Sequence, residues 1–114
     1  MVAGECVPKA GDFVWLTFTP QAGHEQSGRR PALVLTKSSY NAASGLMLAC
    51  PVTTRDKGYP FNVSLPEGLP VSGVILADQV RSLDWRERRA EPICPAPKSV
   101  FEEVRAKVAA LLGL

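Results

Sequence analysis

Helical periodicity is confined to the C-terminal end of this chain. Val100, Phe101, Val104, Val108, Leu111 and Leu112 recur at helical spacing and make one apolar face. Ser99 followed by Glu102 has the form of a capping box, and Gly113 stands where a helix commonly stops. Upstream, the apolar runs are short, rich in β-branched and aromatic residues, and bounded by Gly, Pro, Ser, Asn and Asp. A chain patterned in this way builds itself from short strands and packs one terminal helix on them.

The expected strands are Phe13 to Phe18, Ala32 to Thr36, Leu46 to Val52 and Phe61 to Leu65. Val74 to Leu83 reads as one or two more, bent near Asp78. Between them lie a polar loop from Pro20 to Arg30, a loop from Ser38 to Gly45 and a turn cluster from Pro66 to Gly73. Five to seven short strands with turn signals imply a mainly β fold, a small antiparallel barrel with a C-terminal α-helix. No linker, repeat or low-complexity stretch divides residues 1–114, which read as a single domain large enough to hold its own core.

Composition removes several function classes. With 46% hydrophobic residues and a net charge of +2, the chain is not disordered. No apolar run approaches the roughly 20 residues of a membrane helix. Met1 to Ala10 carries Glu5 and Pro8 and has no apolar signal region, so the expected location is the cytoplasm. Cys6, Cys50 and Cys94 are odd in number and far apart, which fits reduced thiols better than a disulfide framework or a metal pair. The only histidine is His24, so thiol–imidazole and two-imidazole mechanisms have little to work with.

Charge is more informative in its distribution than in its sum. Arg81, Arg86, Arg88 and Arg89 crowd one segment, offset by Asp84, Glu87 and Glu91. Arginine outnumbers lysine eight to five, which suits bidentate contact with phosphate, although a solvated charged face would look similar. The loop Gly23-His24-Glu25-Gln26-Ser27-Gly28-Arg29-Arg30-Pro31 is unusual for a plain hairpin connection. It sets a carboxylate, an amide, a hydroxyl and two guanidiniums among glycines that permit close approach, and Pro31 holds Arg30 extended. Loops of this kind on a rigid sheet tend to carry function.

The motif Gly23-x-Glu25-Gln26-x-Gly28-x-Arg30-Pro31, followed by an apolar strand, resembles the signature of the MazF/PemK family of toxin endoribonucleases. Gly11-Asp12-Phe13-Val14-Trp15 with Phe18-x-Pro20, Cys50-Pro51-Val52-Thr53-Thr54, Lys57-Gly58-Tyr59-Pro60-Phe61, and Ala77 to Ser82 with Asp84-Trp85-Arg86 extend the likeness over nearly the whole chain. His24 and Arg29 depart from the common pattern without removing a group the chemistry needs.

The resemblance implies an SH3-like barrel and a homodimer that cuts single-stranded RNA, chiefly messenger RNA, at specific sequences. The cut goes through attack of the ribose 2′-hydroxyl and leaves a 2′,3′-cyclic phosphate and a 5′-hydroxyl. The activity would arrest translation and growth, use no cofactor or metal, and be neutralised by a cognate MazE-like antitoxin. Arg30 would face the phosphoryl oxygens, Thr53 would donate to the same phosphate, and Glu25 would act as general base or orient Arg30. A structural ion pair of Arg30 with Glu25 or Asp78 is the plainer alternative.

RNA recognition would draw on Phe18, Tyr59 and Trp85 for stacking and on Gln26, Asn41 and Gln79 for base edges. Lys57 and Arg86 would grip the backbone. Trp15, in mid-strand, is expected in the core. A related class of toxin with the same fold binds a protein target such as DNA gyrase and cuts no RNA, so fold alone does not decide function. Those toxins are not expected to carry the Glu-Gln-x-Gly-x-Arg-Pro loop.

Overall fold

The computed structural model describes residues 6–18 and 28–114. In chain order these form β1 (Asp12–Phe18), β2 (Gly28–Val34), α1 (Ser38–Ser44), β3 (Leu46–Thr53), β4 (Asn62–Ser64) and β5 (Val74–Leu76). A 3₁₀ turn (Ala77–Gln79), β6 (Arg81–Asp84), β7 (Glu91–Pro95) and α2 (Lys98–Leu112) follow. The strands run β4-β5-β3-β2-β1-β7, with β6 also paired to β3, and every pairing is antiparallel. The fold is mainly β with a C-terminal helix, as the patterning requires.

Strand alternation splits the interior in two. Phe13 of β1 enters one core with Leu33, Cys50, Val52, Ile75 and, from α2, Val100 and Val104. Val14, Leu16 and Phe18 enter the other with Ala32, Val34, Met47, Ala49, Leu83 and Trp85. Strand β3 serves both. Leu46 to Ala49 pair with β6, Ala49 to Pro51 with β2, and its last two residues, Val52 and Thr53, with β5.

Three local expectations change, and one is narrowed. Ser38 to Gly45 is a helix rather than a loop, and Gly45, at φ 74°, ends it in the left-handed region. Buried Asn41 holds this helix: its amide donates to the carbonyls of Pro8 (2.8 Å) and Thr36 (3.0 Å), and it accepts from the Thr36 hydroxyl (2.7 Å). Val74 to Leu83, expected as one or two strands bent near Asp78, is two strands separated by the 3₁₀ turn that contains Asp78. Glu91–Pro95 adds a strand not expected from its two prolines, and it lies at the sheet edge where proline is tolerated. The helix α2 begins at Lys98, so Ser99 lies inside its first turn and forms no side-chain cap. The carbonyl of Pro97 accepts instead from the amides of Val100 and Phe101.

Candidate functional site

The β2–β3 register sets the centre of the site. Val34, Leu33 and Ala32 lie opposite Ala49, Cys50 and Pro51. The β2–β3 pairing ends at Ala32 and Pro51, and beyond it Val52 and Thr53 pair with Ile75 and Val74 of β5. Arg30, two residues before Ala32, is paired with Leu16 of β1. The Arg30 side chain stands half-buried, and Thr53 is only 4% exposed. The Thr53 hydroxyl oxygen accepts from the Arg55 amide at 3.2 Å, which leaves its own hydrogen to donate.

The loop that leaves Thr53 is braced from two sides. The Asp56 carboxylate accepts from the Gly58 amide (2.8 Å) and the Asn62 side-chain amide (3.2 Å). These bonds hold its pKa below the ordinary carboxylate value. From α2, the Lys107 ammonium donates to the carbonyls of Pro60 (2.8 Å) and Asn62 (3.1 Å). Lys57 and Tyr59 are left on the outside of this loop, with Tyr59 51% exposed. Thr53, Lys57 and Tyr59 therefore follow one another from the C-terminal end of β3, while Arg30 lies on the neighbouring strand β2, two residues before its last pair with β3.

Other expected residues do not join them. Trp85 is buried in the second core, and its indole nitrogen donates to the Asn41 carbonyl at 2.9 Å. Phe18 and Asn41 are buried too, so none of the three presents a face or an edge to a nucleobase in this chain. Arg86 stacks on the Trp85 ring at 4.2 Å from its centroid, beside Gly45. That is the Leu46 end of β3, about 23 Å along the strand from Thr53 at ~3.3 Å per residue. Gln79 sits half-buried in the 3₁₀ turn. His24, Glu25 and Gln26 lie outside the described residues.

Trp15 reverses its expectation, standing 41% exposed. It is paired with Pro31 on β2 and Glu91 on β7. The alternation that buries Leu16 could have shown this, since Trp15 and Leu16 must face opposite ways. Burial pushes the Cys50 thiol up to about 12, with Asp78 adding to the rise, while Cys6 is exposed. Among the described residues no group of His, Cys, Asp and Glu is arranged to hold a metal ion. No described helix is long and apolar enough to cross a membrane.

Residues 9–112 match the family described as PemK-like, MazF-like toxin of type II toxin–antitoxin systems. The chain belongs to this family. It is 44% identical over 107 residues to the endoribonuclease toxin MazF of Escherichia coli K12, covering 94% of this chain and 96% of that one. A crystal structure of MazF from Deinococcus radiodurans superposes with a TM-score of 0.92 at 64% identity, covering 96% of this chain and all of the other. A MazE–MazF crystal structure from the same organism gives 0.88 at 64% identity, over 96% of this chain and 99% of that one. The chain is thus an endoribonuclease toxin homologue in sequence and in fold.

Proposed function

We propose that this toxin cuts single-stranded RNA at specific sequences by internal attack of a ribose 2′-hydroxyl. The products are a 2′,3′-cyclic phosphate and a 5′-hydroxyl. What supports the reading is the run of Thr53 and the exposed Lys57 and Tyr59 at the end of β3, with Arg30 on the neighbouring strand β2 two residues before its last pair with β3. Such a reaction gathers negative charge on the phosphoryl oxygens, and a guanidinium can meet two of them at once. The Thr53 hydroxyl supplies a further donor, since its oxygen is already engaged by the Arg55 amide.

Glu25 is assigned the proton from the 2′-hydroxyl or the orientation of Arg30. Partial desolvation would bring its pKa nearer to what a base requires. Lys57 and Tyr59 are assigned the flanking backbone and a stacked base. Gln26 and Gln79 are assigned to base edges, and Arg86 to the backbone of a strand that runs onto a second protomer.

Leu46 and Leu48 on β3 and Leu111 and Leu112 on α2 are exposed, apolar surface that a second copy of the chain would cover. The Deinococcus structure that holds MazE together with MazF supports a MazE-like antitoxin as the neutralising partner. Acting on messenger RNA, the toxin would work in the cytoplasm and need no cofactor. Purified protein incubated with a long single-stranded RNA in EDTA tests the reading. Discrete cuts with 5′-hydroxyl ends are expected. Intact RNA, or cleavage only after magnesium or zinc is added, would overturn it.

A further inference from the structure

Strand alternation sends Arg29 and Arg30 to opposite faces of β2. Arg29 meets a different set of groups. Its guanidinium donates to the Thr17 hydroxyl of β1 at 2.9 Å, to the Arg89 carbonyl at 2.8 Å and to the Glu91 carboxylate of β7. One side chain thereby joins β2, β1, β7 and the turn between β6 and β7.

The same turn is tied to β1 a second time. The Thr17 amide donates to the Arg88 carbonyl at 2.9 Å, and the Arg88 guanidinium donates to the Thr17 carbonyl at 3.2 Å. Arg89 itself has φ 58°, a left-handed conformation uncommon outside glycine, and its carbonyl is one of the groups Arg29 holds. The amides of Arg89 and Ala90 fasten the turn from within, onto the carbonyls of Arg86 and Trp85.

The clamp lies near the end of the described β1–β2 pairing. Thr17 and Arg29 are cross-strand partners, and Phe18 and Gly28 are the last pair among the described residues. The Glu91 carboxylate is mostly exposed and the Arg29 side chain one-third exposed, so the ion pair adds little to stability. What three acceptors on three segments provide is a fixed direction for the strand. A catalytic group has to be held within about 0.5 Å of its productive place.

From this geometry we infer that Arg29 is a positioning residue. Clamped by Thr17, Arg89 and Glu91, it fixes the start of β2 so that the adjacent Arg30 is held in place for the phosphate. The inference rests on the proposed RNA cleavage with Arg30 at the phosphate. Arg29 itself contacts no RNA, which separates it from the cationic side chains that grip the backbone.

Single-turnover kinetics on a short RNA containing one cut site test this, with folding and oligomeric state checked for each variant. Arg29→Ala is expected to lower the cleavage rate about 10- to 100-fold, the scale of an ångström-sized misplacement, with KM within about threefold of wild type. Glu91→Gln keeps the arginine charge but weakens the clamp, and is expected to lower the rate about three- to tenfold. The double variant should be no worse than Arg29→Ala alone, and Arg29→Lys should recover part of the loss.

A raised KM and a shallower salt dependence for Arg29→Ala, with Glu91→Gln binding RNA as well as or better than wild type, would make Arg29 a phosphate grip and overturn the inference. Unchanged kinetics with only a lower Tm would overturn it as well. Wild-type protein that does not cut RNA would instead overturn the underlying reading and the inference with it. Should Arg29→Ala fail to fold, Glu91→Gln decides alone.

Discussion

The carbonyl oxygen of Thr53 lies 2.1 Å from the point where a β-carbon on Gly73 would stand. Gly73 also has φ 108°, a conformation closed to most L-residues. A glycine is therefore required where the segment before β5 crosses the end of β3, and the crossing sets the backbone of Thr53. The residue assigned to the phosphate is positioned by a residue twenty places away that has no side chain.

Gly73→Ala should accordingly disturb both stability and cleavage. Overpacking against backbone costs about 1–3 kcal/mol, a fall of roughly 5–15 °C in Tm for a domain of this size. The folded fraction should also cut RNA more slowly. Gly68 has φ 93° but nothing within 4 Å, so Gly68→Ala should show only the smaller cost of local strain and cut RNA at the wild-type rate. Thermal unfolding and cleavage rates of the two variants separate these effects.

Arg30 and Thr53 are ranked by what each offers a phosphate. Arg30→Ala removes a charge and should lower the cleavage rate about 10²- to 10³-fold. Arg30→Lys keeps the charge without the bidentate geometry and should recover only part of the rate. Thr53→Val keeps the shape without the hydroxyl and should cost about tenfold, less than Arg30→Ala. Rates measured at saturating RNA check the order.

The brace between α2 and the loop after Thr53 predicts a different signature. Lys107→Met removes the donor to the Pro60 and Asn62 carbonyls, loosening the loop that presents Lys57 and Tyr59. RNA affinity should fall a few-fold and stability by about 1 kcal/mol, while the rate at saturation stays near wild type. Titration with an RNA whose cut site is blocked measures the affinity.

Cys50 predicts an alkaline limit. Its thiol is pushed up to about 12 in the folded chain, against an ordinary value of 9.0. Between these values the unfolded chain has lost the proton and the folded chain retains it, so stability falls as pH rises. The slope approaches about 1.4 kcal/mol per pH unit and vanishes below pH 9. Cys50→Ala should be less stable near neutrality but show a shallower alkaline decline in denaturant unfolding.

The legible parts of the fold are those whose side chains carry a period. β1, β3 and the terminal helix announce themselves through β-branched and apolar spacing. Helix α1 does not, because its one buried residue is Asn41, held by hydrogen bonds rather than by an apolar face. β7 is masked by Pro92 and Pro95, which its edge position tolerates. The start of α2 departs from the capping-box position because Pro97, and not Ser99, precedes its first turn.

In the candidate site, Arg30 and Thr53 are legible as motif residues, but that they stand on neighbouring strands follows from the β2–β3 pairing, which no local pattern states. Trp15 and Phe18 exchange roles for a simpler reason. Along one strand they differ by an odd number of residues and must face opposite ways. Trp85 and Asn41 have the polar edges of surface groups, yet both are satisfied in the interior: the indole donates to the Asn41 backbone carbonyl, and the Asn41 amide bonds to Pro8 and Thr36.

The most direct test of the account uses an RNA with one deoxynucleotide at the residue 5′ to the cut phosphate. Arg30 and Thr53 are assigned to a phosphate attacked by the neighbouring 2′-hydroxyl, so removal of that one oxygen should abolish cleavage there. Binding should remain within a few-fold of the all-ribose substrate. Continued cleavage at that phosphate would mean that water is the nucleophile, and it would contradict the roles assigned to Arg30, Thr53 and Glu25.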